Sequence, residues 1–445
     1  VSSAAVPTLS SPGADRRWSD LRTLGPWFAV EFLNSWACTL LTAACYDYAD
    51  KVLDVRASAA LWLCMFWGVS YIPIALGAGK VSERVGPLRS ASFFSGMSIL
   101  TALLCLLAIG FKSIWMLAAV MLPYNLFCTP IWVAIESGLT RTQGKMRLST
   151  RLGLFNIAWG SANFVAFFFR GMLEHISWSL IFIVPALLHV VAFLALRFWA
   201  PPADLIGTEH VPDDPAGGHE LDAPGMRERA RVLLHMAWLG NALCYVAIYV
   251  LIPLLAKLAD LASIGTLVGA GMITSAWSLT RFGGFALAWL WSGWHYKGRW
   301  VLGAQIVAVA CFFVILTIHS PFVFVGAQIF FGVAVALVYS AALYYAMHVS
   351  AGHGGHAGIH EALVGVGVAL GPGLGAVAST GEFGAAAMLR VAVAVTGLLA
   401  VGTAVMGWQA WRAARAPLFP APPASGDSPS HESPATMPPS HPTPS

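Results

Sequence analysis

Arg281 is the residue of this chain whose surroundings ask most of it. It stands in Ser278-Leu-Thr-Arg281-Phe-Gly-Gly284, inside a long apolar run and about ten residues before its polar end. At about 1.5 Å per residue that places it about 15 Å deep, near the middle of a hydrocarbon layer about 30 Å thick. A central charge there costs roughly 2.5–3.5 kcal/mol by insertion scales, so it needs a partner or a water-filled cavity. The planar guanidinium binds a carboxylate, a phosphate or a polar oxygen bidentately. Arg281 therefore reads either as an anion-binding group on a solute path or as half of an interhelical ion pair.

Glu31 is the acid well inside the first apolar run, seven residues from its start at Leu24. Burial disfavours the ionised form of a carboxyl group, so Glu31 is a candidate to exchange a proton, and equally a candidate counter-charge for Arg281. Asn34 shares its helix face. Further polar residues lie in other apolar runs: Tyr124 and Asn125 between Pro123 and Pro130, Asn156 and Asn163 around Trp159, Asn241 and Tyr245, and Tyr339 and Tyr344. Any one of these serves as interhelical hydrogen-bonding glue. Together with Arg281 and Asn34 they are the set expected to line a polar binding cavity. Asp47 and Asp50, beside Lys51 at the end of the first run, read as surface charges.

His348, His353, His356 and His360 with Glu361 are metal-ligand types crowded into a short stretch. The glycines among them favour a turn whose His360 and Glu361 shape the start of the next helix, so no metal is expected. The chain contains no HExxH, GxSxG, P-loop or GxGxxG pattern, which leaves an enzyme or a cofactor unsupported.

The elements that must position these side chains follow from composition. Of 445 residues, 58% are hydrophobic and 10% charged. A soluble domain carries roughly 25% charged residues, so this chain uses lipid as solvent. About twelve apolar runs are long enough to span a bilayer. They cover approximately 24–48, 59–78, 90–110, 114–139, 152–172, 178–199, 232–256, 263–291, 300–318, 321–348, 359–379 and 385–411. The fold class is an all-α membrane protein of twelve transmembrane helices in two pseudo-symmetric six-helix bundles. Residues 21–199 form the first bundle and 231–414 the second. Residues 200–230 form a polar central linker, with a disordered N-terminal tail at 1–20 and a disordered Pro/Ser/His-rich tail at 415–445.

With a cytoplasmic N-terminus, about 18 of the 25 Lys and Arg fall in cytoplasmic turns and tails and about six outside. Both termini are thus expected in the cytoplasm of a bacterial-type inner membrane. No cleavable signal is apparent at the start, so the first helix is expected to be retained. The seven cysteines lie in apolar runs and read as packing residues. Nothing marks a nucleic-acid surface, and a monomer is expected.

The turn Gly79-Lys-Val-Ser-Glu83-Arg84-Val-Gly86-Pro-Leu-Arg89 carries the spacing Gly-x-(aliphatic)-x-(acid)-Arg-x-Gly. It resembles the loop between helices 2 and 3 of the major facilitator superfamily of secondary transporters. Glu83 replaces the more usual Asp, and Pro87-Leu88 interrupts the expected basic pair. Gly293, Lys297, Gly298 and Arg299 echo this turn after the eighth run, as a repeated half would. With the helix count and the central linker, the resemblance covers about residues 21–414.

What the resemblance implies is a transporter of a small solute by alternating access, without cofactor. Gly79, Glu83, Arg84, Gly86 and Glu136 would form a cytoplasmic latch. In it Arg84 pairs with Glu136, and Glu83 meets the positive end of the helix beginning near Ile359. Apart from the resemblance, the buried position of Glu31 makes it the candidate to carry a coupling proton. Gly367, Gly371, Pro372 and Gly375 form a small-residue ridge in the eleventh run. The ridge resembles an antiporter signature of helix 5, but its position in the symmetry-related helix does not establish antiport. Export of amphipathic compounds, and a transporter-like receptor or scaffold, are the alternatives.

Overall fold

The computed structural model describes residues 12–144, 146–201, 203–207, 226–261, 275–349, 354–379 and 384–415. Apolar runs with no water to satisfy their backbones must close their hydrogen bonds internally, and helices do this within one segment. The helices are α1 (Pro12–Lys51), α2 (Ala57–Val85), α3 (Pro87–Leu104, continued by Leu106–Phe111), α4 (Ile114–Arg141), α5 (Leu148–Ile176) and α6 (Leu180–Phe198). The second half supplies α7 (Met226–Leu261), α8 (Ala276–Leu290), α9 (Gly298–Thr317), α10 (Pro321–Val349), α11 (Gly354–Ala378) and α12 (Ala385–Arg415). Among the described residues eleven helices are long and apolar enough to cross a membrane. The twelfth, α8, is described from Ala276, and the expected start of its span at 263–274 lies outside the described residues. Large apolar side chains such as Trp115, Phe198 and Phe322 are exposed on the outer faces, as a lipid solvent requires.

The halves repeat each other's packing. α1 packs on α5 and α6, α2 on α4, and α3 on α4 and α6; the same pairs recur six helices later, α7 on α11 and α12, α8 on α10, and α9 on α10 and α12. The halves meet through α2 against α11 and α5 against α8, two contacts that the same relation exchanges.

Two boundaries differ from expectation. The first helix begins at Pro12, so residues 12–20 are helical rather than part of a disordered tail. Proline suits a first helical position, and nothing breaks the chain between Ala14 and Thr23. α11 begins at Gly354, five residues before Ile359, which places His360 and Glu361 two turns inside it. Residues 1–11, most of the linker at 208–225 and the tail at 416–445, along with His353, lie outside the described residues. The described start of the linker runs back along the first bundle, where Ile206 bridges Thr142. Buried Arg151 gathers the same turn by donating to the carbonyls of Leu139, Thr142, Gly144 and Met146.

The Gly367/Gly371 ridge faces α7, not the other half. A Cβ on Gly367 would run into the Ala242 carbonyl oxygen, and one on Gly371 into the backbone of Val246. Backbone cannot step aside as a side chain does, so the α7–α11 contact depends on these glycines. Gly371→Val is expected to destabilise the protein by about 1–3 kcal/mol, the range for overpacking a core. The check is the thermal unfolding midpoint of the detergent-solubilised protein, and an unchanged midpoint would refute it.

Candidate substrate cavity

Between the halves lies a cavity with about 740 Å³ of space not filled by atoms. Its walls come from α1 (Thr39, Thr42), α2 (Tyr71), α4 (Trp132), α5 (Trp159, Asn163), α7 (Tyr245, Tyr249), α8 (Trp277, Arg281), α10 (Tyr339) and α11 (Glu361). Each half contributes, which is what the α2–α11 and α5–α8 contacts require. Toward one end Glu83 accepts a hydrogen bond from the Gly355 backbone N–H at 2.8 Å, in the first turn of α11. Toward the other, Lys257 of α7 pairs with Asp50 of α1 at 2.5 Å. The halves therefore touch at both ends of the cavity.

Arg281 is 3% exposed and sits in a box of rings. Its guanidinium carbon lies 4.1 Å from the centroid of Trp159, 5.5 Å from those of Tyr245, Phe285 and Tyr339, and 6.0 Å from that of Trp277. Tyr339 in turn stacks on Trp159 at 4.9 Å and 9°. Ring faces attract a cation and stabilise it further when water is excluded. Nη2 donates to the Tyr245 hydroxyl at 3.5 Å, while Nε has no hydrogen-bond partner among the described residues. Of the two alternatives for Arg281, the interhelical ion pair is not formed: no acid pairs with it among the described residues.

Of the ten residues expected to bind substrate, Arg281, Asn163, Tyr245 and Tyr339 line this cavity, with Asn163 accepting from the Thr39 hydroxyl at 2.6 Å. Asn156 and Tyr344 line a second space of about 410 Å³ with Trp289, His295 and Ser340. There His295 stacks on Tyr344 at 4.2 Å, and burial, with His348 nearby, pushes its imidazole down to about 4, so it is neutral at physiological pH.

The other four line neither space and are buried between helices. Asn34 accepts from the Cys128 thiol at 3.6 Å, and Tyr124 is hydrogen-bonded to His189 at 2.9 Å. Asn125 donates to the Trp67 carbonyl at 3.1 Å and to Ser70 Oγ at 2.8 Å, and Asn241 is buried off the cavity. The reason is angular. The α4 side chain that reaches the cavity is Trp132, eight residues beyond Tyr124, and eight steps of about 100° leave the two about 80° apart around the axis. Periodicity alone does not say which of two apolar faces meets the cavity.

Glu31 is fully buried, accepting from Ser35 at 2.6 Å and Trp132 Nε1 at 3.1 Å; it is neither paired with Arg281 nor on the cavity wall. Of the contacts expected among the latch residues, some are present and one is not. Glu83 does reach the start of α11, Gly79 packs against Gly358, and Gly86 makes the turn with φ of 92°. Arg84, however, is exposed and does not pair with Glu136, which is fully buried. Asp47 also corrects expectation: it is buried, with its carboxylate 2.9 Å from Arg170 of α5 and 3.5 Å from Lys51. The three described histidines of the four-histidine cluster are dispersed as well. His348 bonds the Tyr296 hydroxyl, His356 packs on Trp238, and His360 turns inward.

Sequence reading missed Tyr71, Trp132, Trp277 and Glu361 as cavity residues. The available signal for Glu361 was its distance from the glycines at 354 and 355, which allow the helix to start earlier.

Among the described residues, twelve helices in two repeated halves around a shared internal cavity have the architecture of a membrane transporter. The chain belongs to the Major Facilitator Superfamily, whose family model matches residues 27–358. Its fold is similar to that of the human organic anion transporter MFSD10 (TETRAN), with TM-score 0.63, 14% identity, and 86% of this chain and 99% of that chain covered. It is also similar to a point mutant of the nucleoside transporter NupG, with TM-score 0.65, 13% identity, and coverage of 87% and 99%. At these identities the likeness is one of fold. No curated protein matches the sequence.

Proposed function

We propose that this transporter moves a small organic anion by alternating access, with a proton as the coupling ion. The observation that carries this reading is Arg281: a cation on the wall of the cavity shared by the halves, held by aromatic rings and lacking an acidic partner among the described residues. An arriving carboxylate or phosphate would supply the missing charge and meet donors already in place, including the Tyr245 and Tyr339 hydroxyls. MFSD10 is described as an organic anion transporter, which agrees with this class. Aromatic walls would also take amphipathic solutes, and this keeps amphipathic export as the second reading.

Glu31 is the proposed coupling residue. Its carboxyl lies one hydrogen-bonded side chain from the cavity, through Trp132, which both donates to it and lines the wall. Glu83 with the α11 start and the Gly79–Gly358 contact are the proposed latch. The distribution of Lys and Arg supports cytoplasmic termini in a bacterial-type inner membrane, so the latch closes the cytoplasmic side. The chain is proposed to act as a monomer.

The test is internal pH in proteoliposomes challenged with organic anions, nucleosides, sugars, amino acids and cationic drugs, beside Glu31→Gln. Organic anions are expected to give a solute-specific pH change that Glu31→Gln removes. A pH change undiminished in Glu31→Gln would overturn the coupling assignment. A response confined to cationic drugs would overturn the anion assignment.

A further inference from the structure

Directly beside the aromatic box, Glu136 of α4 and His360 and Glu361 of α11 bring a carboxylate oxygen, an imidazole nitrogen and a second carboxylate oxygen all within 4.8 Å of one another. Glu136 and His360 are fully buried and Glu361 is 5% exposed. Glu361 accepts a hydrogen bond from the Tyr71 hydroxyl, and the Tyr339 ring stands edge-on to His360 at 5.3 Å. Neither nitrogen of His360 has a hydrogen-bond partner among the described residues, and the Glu136 carboxyl has none but the Glu361 carboxyl. One ligand atom from each of the three side chains therefore faces the same buried point. A buried polar group without a partner is costly, so the arrangement asks for a guest that satisfies several at once.

We infer that Glu136, His360 and Glu361 bind a divalent transition-metal ion of the zinc, cobalt or manganese type. Two carboxylates cancel its charge. The imidazole selects the ion, since sodium, magnesium and calcium prefer oxygen ligands alone while first-row transition ions accept mixed N and O sets. Metal–ligand distances of about 2.0–2.2 Å place tetrahedral ligands about 3.4 Å apart, so side chains spread to 4.8 Å close on an ion by rotating inward about an ångström. Glu361 also lines the central cavity, which provides an entry path and a direction for a further ligand.

The consequence concerns the two halves. Glu136 belongs to the first and His360 and Glu361 to the second, so the complete ligand set exists only while α4 and α11 are together. A bound ion holds the halves closed at this level. Arg84 and Glu83 are not ligands, so this clamp is separate from the contact at the start of α11.

The experiment uses the full-length protein, stripped with chelator and titrated with Zn²⁺, Mn²⁺ or Co²⁺ alone by calorimetry and, for Co²⁺, visible absorption. One ion per chain is expected, weakened at least tenfold in His360→Ala and in Glu136→Gln and unchanged in His356→Ala, whose imidazole lies near the start of α11 but outside the cluster. Absence of saturable binding by the wild-type chain overturns the inference, whatever the variants do. So does binding that survives His360→Ala undiminished, which places the ion on other histidines, or binding of Na⁺ or Ca²⁺ in preference to the transition ions. The readout is metal binding and not transport, so its failure leaves the anion-transport reading standing, and the reverse.

Discussion

Arg281→Ala is expected to abolish transport and leave the protein folded. The two halves of that expectation have separate grounds. Because no acid pairs with Arg281 among the described residues, its removal strands no buried carboxylate, and the rings of Trp159, Tyr245 and Tyr339 remain packed on one another. What is lost is the cation that faces the cavity. Hydrogen bonds to a charged group contribute about 1.5–3 kcal/mol, a loss of roughly ten- to a hundred-fold in apparent affinity for an anion, with turnover falling further if the solute no longer triggers closure. Arg281→Lys keeps the charge but loses the planar fork and its stacking on Trp159, so it is expected to fall between the two. Uptake of labelled anion into proteoliposomes measures both variants, and full retention of transport by Arg281→Ala would remove its assigned role.

Arg170→Met is expected to have the opposite character, a large loss of stability. Arg170 of α5 is 9% exposed and stands between Asp47 of α1, at 2.9 Å, and Glu174, at 3.6 Å. Lys51 shares both acids, at 3.5 and 2.7 Å, but is itself 40% exposed. Taking away one member of a buried ion pair leaves its partner uncompensated and costs about 3–5 kcal/mol. The detergent-solubilised variant should unfold at a clearly lower temperature, and Asp47→Asn added to Arg170→Met should recover part of the loss because it removes the stranded charge. An unchanged midpoint, or a double variant no better than the single, would show that the network contributes little.

These two arginines illustrate how far the sequence reached. Arg281 is legible because one charge in an apolar run, far from either end, has few uses. Arg170 is not, because it lies near the end of its run, where a snorkelling surface side chain reads the same way. Its importance arises from Asp47, 123 positions earlier, and nothing in local spacing links the two. The same holds for Glu361. The glycines before it read as a turn, which makes it a helix-start residue, whereas α11 starts at Gly354 and carries the carboxyl two turns into the bundle.

By itself the sequence determined the solvent, the number of spans, the two-half organisation and the presence of a charge that needs a cavity. Each of these follows from the energy of exposing peptide groups and charges to hydrocarbon, which is large, local and additive along the chain. Only the tertiary structure decided which face of each helix turns inward. That choice put Tyr245, Tyr339 and Asn163 around the cavity with Arg281, set Tyr124 against His189 and Asn125 against Trp67 in the packing, and brought Glu136 to His360 and Glu361 across the interface between the halves. In a helix hydrophobic nearly all round, a polar side chain on any face costs about the same until the neighbouring helices are in place. Helix rotation is therefore fixed by contacts between distant segments, and those contacts form only when the bundle does.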